Sequence, residues 1–454
     1  MESPEFVIRF TIHGVYEMKS FTITTLGCKV NRYESEAISE QLAGQGWQRA
    51  DKGTRASLCI VNTCTVTQKA AMQSRQAARK VIRSHPGALV AVTGCYAQVA
   101  PEVFASMSGV HYVMGNTFKD RIARMVGPHR QHGPGASFVE DLSNHRPFQD
   151  LPVTRFGNRT RPFVKIQDGC DAFCSYCIVP HARGRSRSLG QQVVVDRIEG
   201  LKEQGYAEAV LCGINIGRYG QDLDPATTLS SLVELIDGPW AVKRLRLSSI
   251  EPADLSGELV GQLAASKHVC PHLHIPLQSG DDEVLKGMNR PYSSRAYAEL
   301  IHHIVGLMPD VAIGADVLVG FPGETEKAFE NTCNLVEQLP FAYLHVFPFS
   351  VQKQTPAAAR RDVVRPEVIK SRCRYLREIG QMKRRKFYER YVGSTLEVLI
   401  EGNRDRVTGY LKGFTRNYIP VLVRGSDELF HQAVQIRLVG IEHGRVFGQC
   451  VSGQ

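Results

Sequence analysis

Asp168-Gly-Cys-Asp-Ala-Phe-Cys-Ser-Tyr-Cys-Ile-Val-Pro180 is the stretch around which the rest of the chain is read. Cys170, Cys174 and Cys177 stand in a C-x3-C-x2-C spacing, with an aromatic, Tyr176, just before the third Cys. Three thiolates this close in sequence can wrap one face of a cubic iron–sulfur cluster, because soft sulfur suits iron and each Cys takes one iron. Three protein ligands leave a fourth iron open to a substrate or cofactor. Zinc is the competing metal. Structural zinc sites close with four ligands, usually two Cys pairs, and no second C-x2-C pair occurs in the sequence. The reading without chemistry is a chance gathering of thiols, although a free Cys is normally a lone buried apolar residue.

The length of 454 residues allows two to four domains. Hydrophobic residues make up 43% and charged residues 22%, the balance of a soluble globular chain. No apolar run reaches the roughly 18 residues of a membrane span. Residues 1–17 lack the continuous apolar stretch of a signal peptide and read as an N-terminal extension. A cytoplasmic chain with no membrane partner is expected. The net charge of +10 points to a polyanionic partner, nucleic acid first, although a solvated basic surface carries the same charge. Twelve Cys in a long chain without an export signal read as reduced thiols serving metal or catalysis rather than disulfides.

Residues 18–126 alternate strand and helix. Ser20–Leu26, Ser57–Asn62 and Ala88–Val92 read as strands, and Tyr33–Ala43 and Gln68–Ser84 as helices. Such alternation predicts an open parallel α/β sheet covered on both faces. Cys28, Cys64 and Cys95 each lie within a residue or two of the C-terminal end of a strand, where open α/β sheets bind ligands. They read as ligands of a second three-Cys cluster, or singly as turn thiols. Cys59, inside its strand, reads as core.

Residues 127–161, rich in Pro, Gly, His and Arg, read as a linker. Within 162–390 the candidate strands are Phe163–Gln167, Ala209–Cys212, Arg244–Ser248, His272–Leu277, Ala312–Val319 and Tyr343–Phe347. The helices between them are Gln192–Gln204, Leu229–Asp237, Ser256–Ala265, Arg295–Met308 and Glu324–Gln338. Six units predict a partial (β/α)6 barrel, with chemistry at the C-terminal strand ends. Gly213 and Asn215, Ser248 and Glu251, and Gln278 sit there. They can bond a bound cofactor or serve only as turn and cap residues. Glu251 is a candidate partner for a cofactor ammonium. Asp316 sits late in its strand and can hydrogen-bond inside the barrel instead. Arg183, before Gly184, Arg185 and Arg187, can meet a phosphate, an anionic cofactor end or only solvent.

Arg360–Arg390 holds twelve Lys or Arg against four acids. A helix is expected from Pro366 past Tyr388, with Ile369, Cys373, Leu376, Ile379 and Met382 inward. Lys383, Arg384, Arg385 and Lys386 would face solvent or phosphate. In 391–454 five short runs predict a small antiparallel β-barrel of the oligonucleotide-binding kind. They are Thr395–Glu401, Arg406–Gly413, Tyr418–Val423, Gln435–Gly440 and Arg445–Val451. Phe414, Arg416 and Tyr418 can stack on bases and pair with phosphate, or form barrel core.

The C-x3-C-x-aromatic-C run resembles that of radical S-adenosylmethionine (SAM) enzymes. Over Met18–Ser452 the chain resembles the methylthiotransferase family of those enzymes, with an N-terminal three-Cys domain, a radical SAM domain and a C-terminal TRAM domain. Thr25-Leu-Gly-Cys-Lys-Val-Asn31 followed by Glu34-Ser35 looks like the branch acting on N6-threonylcarbamoyladenosine in tRNA. Phe163-Val-Lys-Ile-Gln-Asp-Gly-Cys170 and Ile178-Val-Pro-His-Ala-Arg-Gly184 support the same branch. One region departs from the pattern: Gln352 and Gln354 stand where relatives commonly have Arg and Gly, leaving Lys353 as the nearby cation.

The resemblance implies a 4Fe–4S cluster on Cys170, Cys174 and Cys177 that binds and cleaves SAM; Tyr176 in the Cys run and Gly213, Asn215, Ser248, Glu251 and Gln278 at the strand ends are the candidates to surround that cofactor. It implies that the resulting radical removes the hydrogen from C2 of adenine. It also implies a second 4Fe–4S cluster on Cys28, Cys64 and Cys95, whose open iron carries sulfur that a second SAM methylates. The expected partners are the tRNA anticodon stem-loop, a reductant such as flavodoxin or ferredoxin, and a sulfur donor, with the chain a monomer. Arg183, Lys383, Arg384, Arg385, Lys386 and Arg416 are the candidate RNA contacts. The alternatives are methylthiolation of isopentenyladenosine or of a ribosomal protein, or a non-catalytic iron–sulfur protein that binds RNA.

Overall fold

The computed structural model describes residues 19–51, 53–126, 135–144, 146–154, 156–157 and 159–451. The expected extension at 1–17 and part of the expected linker lie outside the described residues.

The N-terminal sheet comprises Ser20–Thr25 (β1), Gln48–Arg49 (β2), Leu58–Thr63 (β3), Leu89–Gly94 (β4), Tyr112–Met114 (β5) and Ala136–Phe138 (β6). All pairs are parallel, in the order β2-β1-β3-β4-β5-β6. Every residue of β3 is buried, Cys59 included, as a strand covered on both faces requires. Phe21, Ile38, Leu58 and Ile60 pack on one side of the sheet, and Val61, Ala78, Val90 and Val92 on the other. Sequence periodicity showed three strands here. The other three are two or three residues long, too short to leave a period, and β6 falls within the stretch read as a linker. The order reverses direction between β1 and β3, so their C-terminal ends open a crevice.

The central region begins with Phe163–Lys165 (β7) and a two-stranded antiparallel ribbon, Gln167–Asp168 (β8) with Arg187–Ser188 (β9). It continues with Glu208–Cys212 (β10), Arg244–Leu247 (β11), His272–His274 (β12), Ala312–Val319 (β13) and Phe341–Pro348 (β14). β7, β10 and β11 pair in parallel, as do β12, β13 and β14, and a Leu245–Val269 bridge joins the two groups. Among the described residues no pairing joins β14 back to β7, so the barrel is open and six-stranded, as expected. Helices start where Thr228, Ser256, Ser293 and Thr325 accept a backbone N–H three residues on. These caps turn the chain sharply and leave the strand ends clear.

Helix Pro366–Glu389 begins at the expected proline and packs across β14. Cys373, Leu376 and Ile379 are buried, but Met382 is 57% exposed, contrary to expectation. Steps of three and four residues from Leu376 lead through Gly380 and Lys383 to buried Phe387, which rotates Met382 outward.

Thr395–Arg404 (β15), Leu411–Thr415 (β16), Pro420–Val423 (β17), Ala433–Glu442 (β18) and Arg445–Cys450 (β19) form a closed barrel. Its pairs are antiparallel except β17 with β19, a parallel closure the sequence did not show. The expected strand Arg406–Gly413 starts later, because the Asp405 carboxylate accepts from the Val407 and Thr408 amides and folds a turn.

Candidate active site

Cys28 follows β1 and caps helix Lys29–Gly44; Cys64 follows β3; Cys95 follows β4 and opens helix Cys95–Val99. The first loop packs tightly on the second. Gly27 has φ +91°, and a Cβ there would lie 2.8 Å from Cys64 Cβ and Sγ. Ser74 fixes the second loop, accepting from the Cys64 amide at 3.1 Å and donating to its carbonyl at 2.8 Å. Cys28, Cys64 and Cys95 lie within one another's electrostatic range. Burial pushes the Cys64 thiol up to about 12 and raises that of Cys28. Cys28 nonetheless keeps accessible surface, so it lines an internal recess.

The second thiol group sits on the loop between β8 and the short helix Val179–Arg183. Gly169, at φ +73°, lets this loop cross the chain at Arg185, whose carbonyl would lie 1.9 Å from a Cβ. The Cys170 amide donates to Gly184 O, and Ser175 donates to the carbonyls of Met288 and Gly287. Burial raises Cys170 to about 11 and Cys177 to about 12. Arg290 donates to Cys174 Sγ at 3.2 Å and also pairs with Glu251. Tyr176 packs edge-on against Phe321.

A buried ionic network joins the two loops. Arg183 holds Glu34 through both terminal nitrogens, at 2.9 and 3.1 Å, Asp168 at 2.8 Å and Asn31 at 2.6 Å. Lys165 bridges Glu34 and Asp168 at 2.9 and 2.8 Å, Lys119 pairs with Glu34, and Arg187 with Asp168. Arg183 is 1% exposed, so it is no phosphate contact. Its partners consume it. Four cations thus meet two carboxylates, and Arg183 lies in electrostatic range of Cys28, Cys64 and Cys95. Cys28, Cys64 and Cys95, if they held iron as thiolates, would balance the surplus positive charge.

The strand-end residues line the same mouth. Gln167 ties the cluster loop to β10: its amide donates to the carbonyls of Asp168 and Gly169, and its oxygen accepts from the Ile214 and Asn215 amides. A Cβ at Gly213 would lie 2.8 Å from that oxygen, so the turn needs its small residue. Asn215 donates to Asp254 at 2.9 Å, while its Oδ1, and Ser248 Oγ, are buried without partners. Two orphaned polar atoms at neighbouring strand ends fit the polar groups of a bound cofactor. Glu251 is engaged by Arg290, so the expected pairing with a cofactor ammonium must share that carboxylate. Gln278, at φ +65°, bridges to Val317 through its backbone.

Deeper in the half-barrel, one oxygen of Asp316 meets His274 at 2.9 Å and His345 at 3.2 Å, the hydrogen bonding inside the barrel that its position suggested. Lys29, beside Cys28, lies in electrostatic range of Cys212, Arg246, Arg161 and Tyr418, and burial lowers its ammonium pKa. Its ammonium is therefore near groups of both the half-barrel and the C-terminal barrel.

The C-terminal barrel docks through residues read as RNA contacts. Arg416 donates to the carbonyls of Lys243, Lys267, His268 and Val269. Phe414 and Tyr418 stack with ring centres 5.0 Å apart under Arg161 and beside His272. These three residues fasten the domains, which takes them from RNA. Lys383 donates to the carbonyls of Glu337 and Leu339 at the end of a neighbouring helix, another correction. Arg384, Arg385 and Lys386 stay exposed. Gln352 donates to the carbonyls of Thr65 and Val66, and Gln354 to that of Val99. The loop that departs from the family pattern is thus pinned to the auxiliary Cys domain.

Sequence reasoning missed Glu34, Lys29, Gln167 and Arg290 as site residues. The first two sit within one helical turn or two of Cys28, a proximity that marked them; Arg290 is 116 residues from its thiol, with no local signal.

A thiol trio after the first strands of an open six-stranded barrel, tied by a buried ionic network to a second trio at the strand ends of a parallel sheet, is the arrangement expected of a SAM-cleaving iron–sulfur enzyme with a second cluster. Residues 164–336 match the radical SAM superfamily, and residues 20–115 match an uncharacterized protein family, UPF0004. The threonylcarbamoyladenosine tRNA methylthiotransferase MtaB of Bacillus subtilis is 35% identical, with 93% of this chain and 94% of that protein covered. That of Aquifex aeolicus is 33% identical (89% and 97%). A tRNA-2-methylthio-N(6)-dimethylallyladenosine synthase of Pelotomaculum thermopropionicum is 31% identical (95% and 97%). The solved radical SAM methyltransferase TsrM of Kitasatospora setae, bound to cobalamin and a 4Fe–4S cluster, shares the fold at TM-score 0.54 and 17% identity, with 75% of this chain and 77% of that chain covered.

The chain belongs to the radical SAM methylthiotransferase family. It is an enzyme using SAM and two 4Fe–4S clusters.

Proposed function

We propose that this protein adds a methylthio group to C2 of N6-threonylcarbamoyladenosine next to the anticodon of tRNA. The observation that carries the reading is the buried bridge from Asn31 and Glu34, just after Cys28, to Asp168 and Arg183, which bracket the cluster loop. It ties the loop of one thiol trio to that of the other, and transfer of sulfur to a radical-activated carbon requires the two to be held together. The named relatives at 33–36% identity supply the substrate.

When bound, the clusters and SAM supply the radical and the sulfur, chemistry that an unactivated aromatic C–H demands. Cys170, Cys174 and Cys177 hold the SAM-cleaving cluster, and Cys28, Cys64 and Cys95 the auxiliary one. Asn215 Oδ1 and Ser248 Oγ bond polar groups of SAM, with Tyr176, Gly213, Glu251 and Gln278 around them. Arg290 fixes Glu251 beside Cys174. Arg384, Arg385 and Lys386 meet phosphates of the anticodon stem-loop, and the C-terminal barrel serves as a TRAM-type RNA-binding module. A reductant of the flavodoxin or ferredoxin kind and a sulfur donor complete the system, with the protein acting as a monomer in the cytoplasm. No helix among the described residues is long and apolar enough to cross a membrane.

The test is nucleoside mass spectrometry of tRNA from a strain lacking the gene. The 2-methylthio derivative of threonylcarbamoyladenosine should vanish and return with the wild-type gene. Loss of the isopentenyladenosine derivative instead would overturn the substrate assignment.

A further inference from the structure

We propose that Lys29 selects the substrate by pairing its ammonium with the free carboxylate of the threonylcarbamoyl group. The inference rests on the substrate reading above and deepens it.

Lys29 directly follows Cys28, on the first turn of its helix. It keeps accessible surface, yet its electrostatic neighbours come from three other regions: Arg161 before β7, Cys212 and Arg246 on the half-barrel, and Tyr418 on the C-terminal barrel. His272 feels the same ammonium. The side chain is therefore exposed close to all three domains.

The carboxylates around it are already engaged. Glu208 holds Arg244 and Arg246, Glu34 holds Arg183, Lys119 and Lys165, and Glu401 holds Arg161. Among the described residues none lies within ion-pairing distance of Lys29. Its ammonium, exposed and with no carboxylate partner among the described residues, is free to pair with an anion that a ligand brings. A ligand that brings one is stabilised there.

The substrate chemistry supplies it. Threonine joined to a carbamoyl group through its nitrogen keeps both carboxylate and hydroxyl. Sulfur arriving from the Cys28, Cys64 and Cys95 site must reach C2, so the modified base must lie against that site, one residue from Lys29. A dimethylallyl group brings no charge and would leave the ammonium unpaired. A site built for a polar group rejects analogues lacking it far more strongly than an apolar pocket rejects a poor fit.

The experiment measures binding to cluster-loaded protein without oxygen. The probes are an anticodon stem-loop carrying threonylcarbamoyladenosine, its methyl ester, or plain adenosine, tested against wild type, Lys29→Met, Lys29→Gln and Lys29→Arg. Esterification should weaken wild-type binding on the order of tenfold to a hundredfold. Lys29→Met and Lys29→Gln should show the same loss with the acid and none further with the ester, and Lys29→Arg should recover part. Iron content checks that the variants keep the auxiliary site. The proposal is overturned if Lys29→Met and Lys29→Gln bind the acid as wild type does. It is equally overturned if ester and substitution losses simply add, or if the substitutions weaken the plain-adenosine loop as much, which would place Lys29 on a backbone phosphate. A wild type that makes product from the acid yet ignores esterification overturns the role of Lys29 alone. A wild type that yields no methylthio product and does not distinguish the acid from plain adenosine overturns the substrate reading itself.

Discussion

Arg183 and Glu34, 149 residues apart in sequence, form a two-point ion pair at 2.9 and 3.1 Å, with both side chains almost wholly buried. One stands on the helix that Cys28 opens, the other just after the loop that carries Cys170, Cys174 and Cys177. The pair is the mechanical link between the two thiol groups.

Arg183→Ala should be severely destabilising. Removing one partner of a buried pair strands the other charge, at about 3–5 kcal/mol. Lys119 and Lys165 remain on Glu34, which favours the lower end. Thermal unfolding should shift down by several degrees, and iron retention by the auxiliary site should fall with it. An unchanged midpoint would show that the network does not bear on stability.

Acid should dissolve the same link. Arg183, Lys119 and Lys165 hold the Glu34 carboxyl below its ordinary value against the opposing effect of burial, and Arg183, Lys165 and Arg187 do so for Asp168. A carboxyl depressed in the folded state stabilises fully above its unfolded value, near 4 to 4.5, and that contribution is lost as pH falls toward the folded value. Glu34→Gln should therefore be less stable than wild type at neutral pH, with the gap narrowing below about pH 4.5. A gap that widens on acidification would contradict the assignment.

The sequence carried the chemistry and the topology well, and for the same reason: both are local. Three Cys within eight residues and three Cys at strand ends announce themselves through spacing and position. What escaped was long-range. Arg183 read as a phosphate contact because Glu34 is invisible from position 183. Arg416 likewise read as an RNA contact, although folding delivers four carbonyls to it. Gln352 and Gln354 read as departures from a pattern; in the fold they are interdomain pins. Strands β2, β5 and β6 were illegible because two or three residues cannot show alternation.

Gln352→Ala should uncouple the two halves of the reaction. It removes the donor to Thr65 and Val66, next to Cys64, at about 1–2 kcal/mol. Methylthio product should fall several-fold, with 5′-deoxyadenosine formation nearly unchanged. Equal loss of both products would place Gln352 in SAM binding instead.

Replacing Arg384, Arg385 and Lys386 together with Ala should weaken tRNA binding irrespective of sequence. The slope of log affinity against log salt should flatten by about 2. A slope equal to wild type would remove this helix from the RNA footprint.

In the proposed reaction Cys28, Cys64 and Cys95 carry the sulfur-delivering cluster, apart from the SAM-cleaving one. Cys64→Ala, reconstituted anaerobically and given reductant, SAM and tRNA containing threonylcarbamoyladenosine, tests it most directly, with both products quantified in one reaction. The variant should form 5′-deoxyadenosine without methylthiolated nucleoside, and hold about four iron per chain against about eight in wild type. Full methylthiolation by Cys64→Ala would contradict it.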